Sequence, residues 1–201
     1  MDLSTLGFAM GSAWLSGINL YATVLTLGLL QRFGLVQLPG DLQYVSHNWV
    51  LIASGALYTV QFVADKIPAV DSAWDMIHTF IRVPAGAVLA ASAFAHFDPK
   101  VRLLAMLAGG GIALSSHAAK TGTRLAANAS PEPFSNWILS LIGDAIAFGG
   151  SLLMAVHPAV LGAIAIIAAI CCVLMLRFLW RALRRLFSPR ERALPQVRAA
   201  R

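Results

Sequence analysis

The chain is predicted to be all-α, a polytopic transmembrane helical bundle of about six segments with an internal two-helix repeat and broken or kinked helices. Three observations carry this. Of 201 residues, 58% are hydrophobic and 12% charged, with a mean hydropathy of +0.73, whereas a soluble domain holds about twice that share of charge. The apolar residues fall in runs close to the ~20 needed to cross hydrocarbon. The positive charge, a net +6 overall, gathers at one end.

The apolar runs lie at about 5–30, 48–64, 76–95, 103–126, 137–156 and 159–177. The first begins "MDLSTLGFAM", with no Lys or Arg before Arg32, so it lacks the basic start of a signal peptide and is expected to be retained. Ser12, Ser16, Gly17 and Asn19 predict a break or a tight helix contact near "SGIN". In the third run, Pro84 removes a helix hydrogen bond close to Arg82, which predicts a kink or half-helix. The fourth passes from "LLAMLAGGGIAL" into "SSHAAKTGTRLAANASPEPFSN", where His117, Lys120 and Arg124 stand three and four residues apart. Asp144 lies deep in the fifth. In the sixth, Cys171 and Cys172 are adjacent, a spacing that suits neither a metal site nor an ordinary disulfide.

From Arg177 to Arg201 eight arginines oppose Glu191, a net charge of +7, and residues 1–176 hold seven basic against eight acidic residues, a net −1. Domain organisation is therefore a transmembrane bundle over 1–176 and a basic tail over 177–201. A basic cluster directly after an apolar run is a positive-inside signal, which predicts a cytoplasmic C-terminus that meets anionic lipid headgroups. Aromatic residues do not alternate with these arginines beyond Trp180, so nucleic acid is not an expected partner. With six crossings, the N-terminus and the linkers near 65–75 and 127–136 are also cytoplasmic.

Sliding the chain against itself by 63 positions aligns Ala64 with Ala127, Pro68 with Pro131, Ser72 with Ser135, Trp74 with Trp137 and Gly86 with Gly149. Five identities in one register predict a duplicated helix–loop–helix unit, about 48–95 and 111–156. Asp75, His78 and Arg82 share one helix face, and His117, Lys120, Arg124 and Asn128 form a stripe on another. A charge at bilayer depth costs at least ~2.5 kcal/mol, so these groups and Asp144 are expected to converge inside the bundle, Arg82 pairing with Asp144. That leaves Lys120 and Arg124 for a phosphate or carboxylate.

The motif "ADKIP", the following "DSAWDMIHTFIR" and the later "NASPEPFSN" resemble the bacterial integral-membrane family called domain of unknown function 4126, and the likeness runs to about residue 156. The resemblance implies a small multi-pass inner-membrane protein and brings no reaction, catalytic residue or cofactor with it. No phosphate-binding loop, "HExxH", "GxSxG" or zinc-type Cys/His spacing is present in the sequence. The expected function is a transporter, channel or lipid translocator that accepts a small anion or a lipid at Asp75, His78, Arg82, His117, Lys120, Arg124, Asn128 and Asp144. The alternatives are a structural or assembly protein, whose small-residue faces "GGGIALSS" and "PAGAVLAASAF" pack helices, and a lipid-headgroup enzyme. The number of subunits is open, and a homo-oligomer is compatible with such faces.

Overall fold

The computed structural model describes residues 2–128 and 134–187. Its helices are α1 (Leu3–Arg32), α2 (Asn48–Ala64), α3 (Pro68–Ala93), α4 (Pro99–Asn128), α5 (Phe134–Val156) and α6 (Pro158–Phe187), with a 3₁₀ helix at Gly40–Ser46 before α2. No strand occurs among the described residues. Five of these, all but α2, are long and apolar enough to cross a membrane, so the chain is a multi-pass membrane-type bundle. With 17 residues, α2 reaches only about 25 Å at a rise of ~1.5 Å per residue.

Local sequence sets the ends. Asp2 caps α1, its carboxylate accepting the Ser4 N–H at 3.2 Å. At the other end Gly34 adopts φ +69°, which lets Leu35 N–H reach the Leu30 carbonyl at 2.9 Å and Gly34 N–H reach that of Gln31 at 3.1 Å. Proline opens α3, α4 and α6, where its missing N–H costs no helical bond.

Two helices extend past the apolar runs that mark them in the sequence. α3 begins at Pro68, so Asp75 is helical and the linker after α2 is only residues 65–67. α6 runs to Phe187, so the first part of the basic tail, with Arg177, Arg181 and Arg184, continues the helix; residues 188–201 lie outside the described part.

The predicted break near "SGIN" is present. Asn19 has φ −148° and ψ 96°, dividing α1 into two helical halves. Its Oδ1 accepts the Ala22 N–H at 3.0 Å, which caps the second half. The half-helix expected at Pro84 is absent: α3 is continuous from Pro68 to Ala93, and its packing along α4 holds it helical although proline removes one bond.

α1 is the hub. It contacts each of the other five α-helices and the 3₁₀ helix, and its face is built of Ala, Gly and Ser that leave room for close approach. α1 and α6 cross where a Cβ on Gly162 would stand 2.6 Å from the Gly7 Cα. Gly162→Val is therefore expected to destabilise the bundle by about 1–3 kcal/mol through overpacking, read as a lower thermal transition in detergent. Gly111→Ala, where an added Cβ meets open space, should leave that transition unchanged.

Candidate functional site

Charged residues of α3 and α4 meet Asp65, just past α2, at one buried junction. On α3, Asp75 and Arg82 are two turns apart on one face, and the Arg82 Nη1 donates to Asp75 Oδ1 at 3.1 Å. Arg82 is fully buried. Its Nη2 donates to Gln61 Oε1 on α2 at 3.2 Å, and its Nη1 also lies 3.2 Å from His117 Nδ1 on α4. The guanidinium thus ties three helices.

Its chemistry fixes the histidine tautomers. Arginine only donates, so His117 Nδ1 must be an acceptor, and the ring is neutral with its proton on Nε2. That Nε2–H donates to Thr79 Oγ1 at 2.7 Å, and the Thr79 hydroxyl donates to the Asp75 carbonyl at 3.0 Å. His78 carries the opposite tautomer. Its Nδ1–H donates to the Trp74 carbonyl at 2.7 Å, which leaves Nε2 of the neutral ring to accept from the Tyr21 hydroxyl at 2.9 Å. Trp74 stacks on the His78 ring with centroids 4.4 Å apart.

Lys120 and Arg124, one turn apart on α4, close the cluster against two carboxylates. Arg124 Nη2 lies 3.1 Å from Asp65 Oδ2, and its Nη1 lies 3.8 Å from Asp75 Oδ2. The Lys120 ammonium stands between the same carboxylates, 3.6 Å from Asp65 Oδ2 and 3.9 Å from Asp75 Oδ1. Those distances allow Coulomb attraction but exceed hydrogen-bond length. Asp65, the first residue past α2, thereby pins the α2–α3 linker to α4. Trp137 of α5 donates from Nε1 to the Lys66 carbonyl at 3.2 Å, which brings the start of α5 beside that linker.

Asp144 is elsewhere. The predicted pair with Arg82 does not form, because Asp75 on the same helix already supplies its counter-charge. Asp144 Oδ1 instead accepts from Asn19 Nδ2 at 2.8 Å. Asn19 supplies both halves of this contact. Its oxygen caps the second half of α1 while its nitrogen binds Asp144, which sets a carboxylate beside the positive end of a helix dipole.

The structure therefore gathers Asp75, His78, Arg82, His117, Lys120 and Arg124, and sets Asp144 beside the α1 break. Lys120 and Arg124 are not left without acidic neighbours, as was expected, since Asp65 and Asp75 face both. The side chain of Asn128 lies outside the described residues. Gln61, Asp65, Tyr21, Thr79 and Asn19 join the site without having been singled out for it. Gln61 and Asp65 stand one turn apart at the end of α2, a spacing that could have flagged them.

A cavity of about 310 Å³ adjoins the junction, with Lys120 and Arg124 at its polar end and Trp14, Ile18, Leu139, Ile142, Ile146 and Ala168 along its walls.

Asp144→Leu is expected to cost about 1–3 kcal/mol, because it strands the buried Asn19 amide. Asp144→Asn, whose amide oxygen still accepts from Asn19, should cost much less. Thermal unfolding of both variants in detergent checks this, and equal losses would count against the contact.

The sequence profile of a family described as Domain of unknown function (DUF4126) matches residues 6–178. No curated protein and no solved structure matches the chain.

Proposed function

Since the chain belongs to the DUF4126 family, whose description carries no reaction, we propose from the site itself that it is a membrane transporter, channel or lipid translocator accepting an anionic group. One observation carries this reading. The Lys120 ammonium makes no hydrogen bond to either neighbouring carboxylate, and the Lys120 side chain is part of the lining of a cavity whose walls are otherwise mostly apolar. Its donors can turn to a phosphate or carboxylate while Asp65 and Asp75 keep it charged. Arg82, sealed among protein partners, holds the site in shape.

Other features suit a transporter. α1 is interrupted near mid-length and a buried carboxylate sits at the interruption, an arrangement that transporters use to present helix ends to a cargo. The internal repeat belongs to this reading. α2 and α4 end at Ala64 and Asn128, 64 residues apart and so within one residue of the 63-residue register. The assembly reading is favoured by a different fact, the full enclosure of Arg82 between closely packed α3 and α4.

Flux separates the two. Proteoliposomes of the full chain should pass at least one of phosphate, a short carboxylate or a fluorescent anionic lipid faster than protein-free vesicles. Lys120→Gln should cut that flux about tenfold, near 1.4 kcal/mol, with little change in melting temperature. No flux of any of these, or flux indifferent to Lys120, favours assembly.

The proposed location is a bacterial inner membrane with the arginine-rich end in the cytoplasm, because translocating a net +7 over residues 177–201 opposes the positive-inside bias. A reporter active only in the cytoplasm should give signal when fused after Arg201. Signal from a periplasmic reporter instead would reverse the orientation.

A further inference from the structure

We infer that the cavity beside Lys120 is a lateral entry site for an anionic membrane lipid, which lays an acyl chain between α4 and α5 and sets its phosphate against the Lys120 ammonium. The inference deepens the anion-accepting function proposed above and rests on it.

The cavity is bounded by α1, α4, α5 and α6, with Trp14 and Ile18 of α1 as its floor. α4 and α5 touch only lightly, and the residues on the two sides of the gap, Ala119 and Thr123 against Ile142 and Ile146, are exposed on the bundle surface. In a membrane-spanning bundle that surface faces acyl chains. At about 310 Å³ the cavity is near the lower bound for a ligand site, roughly 300–1,000 Å³. It suits a slender chain better than a bulky polar solute.

Polarity runs the way a lipid does. Lys120 and Arg124 stand eight and four positions before the end of α4 at Asn128, about 12 and 6 Å from it at ~1.5 Å per residue. Ile146 and Ala168 line the cavity near the middle of α5 and α6, and Ser115 and Ser116 line it at mid-α4 with hydroxyls that donate to the Ile112 and Trp14 carbonyls. A headgroup at the cationic end thus places its chain toward the bilayer centre, the direction it already has in the leaflet. The Lys120 side chain lines the cavity with an exposure of only 10%, and its ammonium is held near Asp65 and Asp75, so the charge stands at a fixed position within reach of a guest. Arg124 shares this end and remains engaged with Asp65.

Gly143 supplies an independent observation. It lies on the cavity wall, and a Cβ placed there would meet only Ile18 Cγ2 at an ordinary 3.8 Å. The space is open at this glycine, so a leucine there keeps the helix contact and fills the route of the acyl chain.

The test uses the full chain in proteoliposomes with two photoactivatable probes, phosphatidic acid and phosphatidylcholine, each bearing a diazirine in one acyl chain. Phosphatidic acid is expected to label peptides containing residues 139–146 at least fivefold more than phosphatidylcholine. Gly143→Leu should lower that labelling about tenfold with an unchanged melting temperature, and Lys120→Gln should abolish the preference for the anionic headgroup while chain labelling persists. Equal labelling by both headgroups in the wild type, or labelling indifferent to Gly143→Leu, overturns the inference. Headgroup-selective labelling without flux leaves the lipid site standing and removes the transport reading. Flux of phosphate without labelling does the reverse, since a small anion then reaches Lys120 by another route.

Discussion

A guanidinium cannot sit in hydrocarbon alone, and Arg82 has no exposure at all. A single charge at bilayer depth costs at least ~2.5 kcal/mol even when the surroundings adapt, so the arrangement of α2, α3 and α4 follows from what Arg82 requires. Asp75 supplies the counter-charge from the same helix. Gln61 and His117 take further N–H groups from neighbouring helices. Because His117 must accept, its ring is held neutral, and its remaining proton goes to Thr79, which returns a bond to the α3 backbone. The circuit closes on α3, where it began.

The same logic extends to the rest of the bundle. Lys120 and Arg124 are drawn toward Asp65 and Asp75, which fastens the α2–α3 linker to α4 at the end of the bundle where Trp137 of α5 also binds. Across the hub, Asn19 resolves two problems with one side chain. The broken α1 needs an acceptor for a freed N–H, and buried Asp144 needs a donor; Asn19 provides each. Between these polar joints α4 and α5 stay apart, and the cavity with a cationic end occupies that gap. Small residues elsewhere on α1 let the remaining helices close in.

Much of this was legible in the sequence for reasons of cost. Apolar content demands a membrane bundle, and the scarcity of charge makes each internal charge a predictor of convergence. Asp75, His78 and Arg82 recur on one helical face, so their meeting with the His117–Arg124 stripe could be anticipated. The "SGIN" break was legible because small and polar residues crowd into one turn; at Pro84, where a kink or half-helix was expected, α3 does not divide into half-helices, since packing along α4 keeps it helical around a single missing bond. The partner of Arg82 was missed for a physical reason. The cost of a deep charge pointed to Asp144, but an arginine stem spans the two turns back to Asp75, and a pairing within one helix needs no tertiary alignment. Tyr21 and Thr79 were invisible because neutral hydrogen-bonding side chains are ordinary in membrane helices; only three-dimensional placement makes them partners, whereas Gln61 had the one-turn spacing to Asp65 as a signal.

The account stands most directly on the coupling between Arg82 and Asp75. Unfolding of Arg82→Gln, Asp75→Asn and the double variant in the same detergent measures it. Asp75→Asn strands the buried Arg82 charge and is expected to cost about 3–5 kcal/mol, while Arg82→Gln leaves Asp75 with Lys120 and Arg124 as counter-charges and should cost less. The double variant leaves neutral groups that can still hydrogen-bond, so its loss should fall well below the sum of the two. Strict additivity would mean that the two side chains do not depend on each other, and would contradict a bundle organised around this buried pair.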